Sequence, residues 1–339
     1  MKIKNIYIIL FLLSTQLVFS QEGIPVYSDY FSGNLHLLHP SMAGASGSNQ
    51  IRLTSRSQWS DQDESPNLGT LSYNTSLSPQ SGIGLILFTD RNGYHSQTGG
   101  YLGYAHHLLL SRSRADLNQI SFGIRLGFIE QKLDETQFDL NDFDPIIAGI
   151  IQSSSYVNID AGVSYNFLNF AAHFTIKNLI FQNRSIYTDE YESNNQRRYV
   201  TGVSYGIDSS GAFSFEPSIL FQFTELSGEQ TIDFNLKVFR EMRFGRIWGG
   251  LSVRRSFDGA EYLDGTEIKS QKLQYVTPVL GVYWNKFMFT YTYSIQSGAV
   301  KFSSGGLHQI TLGYNIFNGK PSFWNQDMRD NGSLRPRYN

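Results

Sequence analysis

Along residues 157–167, VNIDAGVSYNF, the residues Val157, Ile159, Ala161, Val163, Tyr165 and Phe167 alternate with Asn158, Asp160, Gly162, Ser164 and Asn166. A period of two sends successive side chains to opposite faces, so this stretch predicts a β-strand with one apolar face. The same pattern recurs in QISFGIRLGFI, YVTGVSYGI, FEPSILFQF, TIDFNLKVF, KFMFTYTYS and HQITLGYNI. Between Ile51 and Phe317 there are about fourteen such segments of about 9–13 residues, a length that suits strands tilted across a bilayer. Strands of soluble sandwiches average about 5–6 residues.

The connections carry a second rhythm. A short set reads SPQS after Leu77, a tight turn near Asn169, SSGA after Asp208, MRFG after Glu241, and Asn285 with its neighbours; the intervening set includes 133–155, 179–196 and 257–271. One member of the short set, SRSRADL at 111–117, is middling. Short turns on the periplasmic side and long loops outside are the habit of outer-membrane barrels. A soluble double sheet would need an unusual number of long strands and leaves the rhythm unexplained. The prediction is therefore all-β: a transmembrane antiparallel β-barrel of about fourteen strands over residues 50–317, with its apolar parity toward lipid. On that reading a charge at Val163 is costly and one at Ser164 milder, and the strand-end aromatics Tyr73, Tyr101, Trp248, Tyr283 and Trp284 form interfacial girdles.

Composition sharpens this picture. The chain holds 25 Phe, 20 Tyr and 31 Gly, yet its mean hydropathy is slightly negative, as expected when every strand is apolar on one face only. There is no cysteine, hence no disulfide and no acceptor for a lipid anchor, and a formal charge of −2 gives no reason to expect nucleic acid. Residues 1–20, with two early lysines, an apolar run and Val18-Phe19-Ser20, resemble a secretory signal peptide. Residues 21–49 mix aromatics, leucines and helix breakers without period two; they are too apolar for a free tail and are expected to pack inside the barrel as a plug. The polar stretch 318–339 is expected to lie in the periplasm as a tail.

Candidate chemistry is sparse. His106 and His107 are adjacent on a strand and point to opposite faces, which disfavours a shared metal ion. The run DLNDFD at 139–144 lacks the glycine turn and spacing of an EF-hand, so a solvated acidic loop is the plainer reading, with weak calcium binding left open. No G-x-S-x-G motif accompanies the serines, and neither an enzyme activity nor a cofactor is expected. The lumenal parity receives Arg52, Arg56, Arg125, Lys237 and Arg254 together with Asp160, Glu216 and Asp233. Such mixed charges either pair with one another or are individually hydrated in a water-filled lumen.

Residues 27–77 carry Tyr30-Phe31, then Pro40 with Ala43-Gly44, then Arg56-Ser57-Gln58-Trp59, Pro66 and Ser72. This series resembles the start of the PorP/SprF family, outer-membrane proteins of the type IX secretion system of the Bacteroidota, whose pattern has a tyrosine-aromatic pair, an Asn-Pro-Ala-Tyr-Ala-Gly-like box, Arg-x-Gln-Trp, a proline and a Ser-rich strand. In the box His39 stands for the asparagine and Ser41-Met42 for Ala-Tyr. GIGLILFTDRNG, IWGGLSVRRSFDG and the final YSIQSGAVKFSSGGLHQITLGYNI extend the likeness over nearly the whole chain after residue 20. The resemblance implies a non-enzymatic barrel that helps secreted proteins, often large adhesins with a C-terminal sorting domain and in some organisms gliding adhesins, to reach or stay at the cell surface. Implied partners are that cargo, other type IX components and outer-membrane lipid. It marks Tyr30, Phe31, Pro40, Gly44, Arg56, Gln58, Trp59 and Pro66 as plug or partner candidates. The competing reading is a passive or ligand-specific porin.

Overall fold

The computed structural model describes residues 33–46, 49–58, 65–111, 117–137, 149–181, 186, 195–208, 212–264, 267–297 and 306–316. The expected signal segment 1–20, Tyr30, Phe31, Trp59, the acidic run 139–144 and the tail 318–339 lie outside the described residues.

The strands follow the alternating segments closely. They are β1 (Gln50–Gln58), β2 (Asn67–Ser78), β3 (Ser81–Asn92), β4 (His95–Leu109) and β5 (Asn118–Asp134). Next come β6 (Ile151–Phe167), β7 (Phe170–Lys177), β8 (Arg198–Tyr205), β9 (Ile207–Asp208) and β10 (Phe213–Thr224). The chain closes with β11 (Gln230–Met242), β12 (Gly245–Asp264), β13 (Glu267–Trp284), β14 (Phe287–Ser297) and β15 (Leu307–Asn315). Consecutive strands pair antiparallel, and β1 pairs with β15 from Gln50↔Asn315 to Gln58↔Leu307. Strands β8 and β9 are one stave interrupted at Gly206, both pairing with β10, so the closed ring has fourteen staves. Closure leaves no sheet edge within the bilayer, where an unpaired backbone group would go unsatisfied.

The period of two sorts the faces as expected. On β5, Phe122, Ile124, Leu126 and Phe128 are exposed on the outside while Ser121 and Arg125 are buried inside. The two-residue turns at 79–80, 168–169, 243–244 and 285–286 gather at one end, where β1 begins and β15 ends; by the barrel rule this is the periplasmic end.

Three expectations are corrected. The stretch 257–271 is not an irregular loop: β12 runs through it to Asp264 and β13 starts at Glu267, with a register shift between Arg255 and Gly259. Continuing the ladder pairs the backbone groups that a loop would leave to water. At 20 and 18 residues these strands exceed the roughly 9–11 needed to cross, so the hairpin stands above the bilayer. Likewise β5 and β6, 17 residues each, take up part of 133–155. On the same outer side β3 and β4 meet in a two-residue turn at Gly93–Tyr94, an exception to the rhythm.

The third correction concerns the girdle. Tyr101, Trp248 and Tyr283 are 2, 5 and 4% exposed and point into the lumen, whereas Tyr73 and Trp284 face outward. The inward rings cover glycines on neighbouring strands: a Cβ on Gly281 would lie 2.6 Å from Trp248 Cζ2, and one on Gly127 2.5 Å from Tyr101 Cδ1. Outward aromatics still mark the periplasmic rim, where Trp284, Phe287 and Tyr314 sit on consecutive strands with ring centroids 6.5 and 5.0 Å apart.

Candidate functional site in the lumen

Residues 33–46 cross the barrel interior as a compact loop. Two 3-10 turns, Leu35–Leu37 and Pro40–Met42, are closed by Leu38 N–H to Leu35 O at 3.0 Å and Ala43 N–H to Pro40 O at 3.2 Å. Pro40 at the first position of its turn fixes φ where no amide donor is needed. Gly33 and Ser46 line one small cavity with Gln50 and Asn74, so the two ends of the loop lie together, as in an Ω-loop.

Its apolar side chains form cores with the wall. Leu38 packs with Val200, Leu220, Phe239, Trp248, Val279, Tyr283 and Met288. Leu37 packs against Ile86, Phe88, Tyr101, Ile129 and Tyr156, while Met42 and Ala45 meet Leu117 and Ala171. Fully burying a leucine is worth about 1.5–3 kcal/mol, so these contacts supply a real driving force for docking.

Polar groups fix the register. Asn34 Nδ2 donates to Ser72 Oγ at 2.8 Å, Ser41 and Ser164 hydroxyls share a hydrogen bond of 2.6 Å, and Gly44 N–H donates to Asn74 Oδ1 at 3.3 Å. His39 Nδ1 meets Thr175 Oγ1 at 2.9 Å, and its ring stacks on His173 with centroids 4.8 Å apart. His107 Nε2 lies 3.1 Å from Ala43 O, so this histidine points inward while its neighbour His106 points outward. Burial, then Arg125 and Arg52, pull the His36 pKa down to about 3; burial, then His173 and Arg125, hold His39 well below the ordinary histidine range.

The loop lies directly on the wall where the wall lacks side chains. Gly44 adopts φ +69°, a left-handed conformation glycine alone takes readily, and a Cβ there would lie 2.6 Å from Gly82 Cα and from Thr75 O. A Cβ on Gly123 would overlap Ser41 N and Pro40 C and lie 2.5 Å from Pro40 O.

The lumenal charges form ion pairs across neighbouring strands. Arg125 Nε donates to Asp160 Oδ2 at 2.9 Å, Lys237 Nζ to Glu216 Oε1 at 3.3 Å and Arg254 Nε to Asp233 Oδ1 at 2.7 Å; each pair is directly opposite in the ladder. Arg125 also donates through Nη1 to Leu37 O at 2.9 Å and His36 O at 3.3 Å, tying the loop to a buried pair. Arg52 donates to Asn315 Oδ1 at 3.0 Å, and Arg56 is 1% exposed, facing inward farther along β1.

Of the sequence-marked residues, Pro40 and Gly44 lie in the loop, whereas Gln58 and Pro66 close the β1–β2 hairpin at the opposite end through Gln58 N–H to Pro66 O, 2.9 Å. The structure thus does not bring the two halves of the pattern together. Ser164, where a charge is expected to be milder than at Val163, is 1% exposed and bonded to both Ser41 and His173. The residues that receive the loop, Gly82, Gly123, His107, His173 and Thr175, were missed; the available signal was glycine and histidine recurring on the lumenal parity.

A family model described as type IX secretion system membrane protein PorP/SprF matches residues 19–314. The chain belongs to the PorP/SprF family. It is therefore a type IX secretion membrane protein, and with the barrel fold its place is the outer membrane. Among solved structures, this PorP/SprF barrel is similar to the CymD monoaromatic hydrocarbon channel at TM-score 0.51 and 9% identity, over 84% of this chain and 93% of that one. It also matches CdiB from Acinetobacter baumannii at TM-score 0.39 and 9% identity, over 78% of this chain and 59% of that one. At such identity the likeness concerns the fold alone. No curated protein matches in sequence.

Proposed function

We propose that the chain is a plugged, non-catalytic platform of the type IX secretion system that assists secretion or surface attachment of exported proteins, such as large adhesins with a C-terminal sorting domain. The observation that carries this reading is the loop at 33–46, whose leucines enter apolar clusters of the wall and whose backbone is held by Arg125 and His107. A lumen filled in this way suits a barrel that binds rather than conducts. On this reading residues 1–20 direct export, 21–49 form the plug, with Pro40 and Gly44 as its marked residues, and 318–339 are a periplasmic tail. The cargo docks on the outer surface formed by 133–155, 179–196 and the β12–β13 hairpin at 257–271. Arg56, Gln58 and Pro66, at the outer end of β1 and β2, belong to the same side.

The test has two arms. Purified protein in a planar bilayer should be silent, and a stable open pore would favour a porin instead. In cells, trimming the β12–β13 hairpin between Arg255 and Gln274 to a tight turn should reduce surface retention of the exported partner while the barrel still shows heat-modifiable migration. Full retention would remove that surface from the proposal.

A further inference from the structure

Among the described residues of the strands, charge on the lipid-facing wall at the periplasmic end is confined to one arc. On β11, Arg240 shares the outward parity of Phe234 and Leu236 and is exposed. Among the described residues it is the one charged side chain that a strand turns toward lipid in the periplasmic half, and among them it forms no ion pair. Its guanidinium instead lies 5.3 Å from the ring centroid of Phe213, its ladder partner on β10. A charge on the lipid face is expensive unless it reaches a counter-charge at the interface, so an arginine kept there needs an anion.

The surroundings say where that anion sits. Met242, Gly245, Trp284, Phe287 and Tyr314 form one row across β11–β15, which brings the turns at 243–244 and 285–286 side by side. These turns carry Arg243 and Lys286, both exposed. The acids nearby are Glu241, which is bonded to Arg246, and Asp208 on β9, one strand beyond β10. The arc is thus positive at the level of the Trp284–Phe287–Tyr314 stripe, the depth at which amphipathic rings meet headgroups. The two-residue turns at 79–80 and 168–169 bear no charge, although Tyr165 and Phe167 stack beside the latter at 6.5 Å; the connection at 111–117 carries Arg112, Arg114 and Asp116 in sequence, outside the described residues.

We infer that the arc formed by Arg240, Arg243 and Lys286 binds the headgroup phosphate of an anionic phospholipid in the periplasmic leaflet. Arg240 starts two residues inside the turn, about 7 Å along the strand, and its stem can run along apolar surface toward the headgroup. A periplasmic protein would meet Arg243 and Lys286 but not Arg240, whose ladder neighbours Ile247, Val282 and Phe289 belong to the lipid face. That position selects lipid over a protein partner.

The experiment is native mass spectrometry of the full chain released from nanodiscs holding equal phosphatidylethanolamine and phosphatidylglycerol. Each cation near an anionic surface contributes about fivefold in affinity, so retained lipid should be enriched at least about fivefold in phosphatidylglycerol. Arg240→Gln combined with Arg243→Gln and Lys286→Gln should return the ratio to that of the bulk, with heat-modifiable migration showing an intact barrel. Arg240→Lys alone keeps the charge and should keep the enrichment. A bulk ratio in the wild type, an unchanged preference in the triple variant, or displacement of the lipid by excess inorganic phosphate would each overturn the assignment.

Discussion

Replacing Gly123 by valine should separate the loop at 33–46 from the barrel wall. Glycine is a poor strand residue and valine a good one, so the strand itself gains from the change. β5 is also held on both sides, by β4 over fifteen residues and by β6 over seventeen, and has little freedom to retreat. The conflict falls on the loop, because the new Cβ would overlap Ser41 N and Pro40 C, which are backbone atoms. Overpacking costs about 1–3 kcal/mol. Shifting the loop also lengthens the Ser41–Ser164 and His39–Thr175 bonds, at about 0.5–1.5 kcal/mol each. Together that is roughly 2–6 kcal/mol against docking, a weakening of about thirtyfold or more.

Two readouts follow from that magnitude. Gly123→Val should assemble with normal heat-modifiable migration, be cleaved faster near Leu37 in limited proteolysis, and show current steps in a planar bilayer where the wild type is silent. Gly103→Val is the matched control, since a Cβ there meets no atom closer than 3.7 Å and its lumenal position otherwise resembles that of Gly123. If Gly123→Val stays as protected and as silent as Gly103→Val, the loop is not held against β5 and the plug account fails.

Three further outcomes are expected. Leu126→Arg places a charge on the lipid face of β5, where Leu126 is 53% exposed, and should lower assembly by about 2–4 kcal/mol, read as loss of the folded band in urea titration. Arg125→Met leaves Asp160 charged, buried and without its main partner, a loss of about 3–5 kcal/mol; adding Asp160→Asn should recover part of it, and equal melting of the single and double variants would argue against the pair. Acid should loosen the loop: His36 sits near 3 when docked and near its ordinary value when released, so the released state binds more protons below about pH 6.5 and docking weakens as pH falls from there toward 3. At pH 5 this one group contributes about 2 kcal/mol in that direction, and proteolysis near Leu37 should accelerate between pH 7 and 5; a flat profile would refute it.

The faces of the wall were legible because lipid imposes a strict period of two, and where residue type and parity disagree, parity is the better guide. Trp248 shares its parity with Arg254, whose charge belongs in the lumen, and Tyr101 shares its own with His107; both lie inside despite being near strand ends as girdle aromatics are. Tyr283 and Trp284 are adjacent, so they could not both face lipid. What periodicity does not encode is register: nothing local to β5 or β6 says that Arg125 stands opposite Asp160, since sliding one strand by two residues preserves both faces and loses the pair. The same limit hid the receiving surface of the loop. The irregular apolar run around Leu35, Leu37 and Leu38 required a packed partner, but Gly82 and Gly123 on the lumenal parity read as ordinary small residues. They become meaningful only when the ladder brings them beneath Gly44 and Ser41, because a missing side chain is a feature only in relation to whatever fills its place.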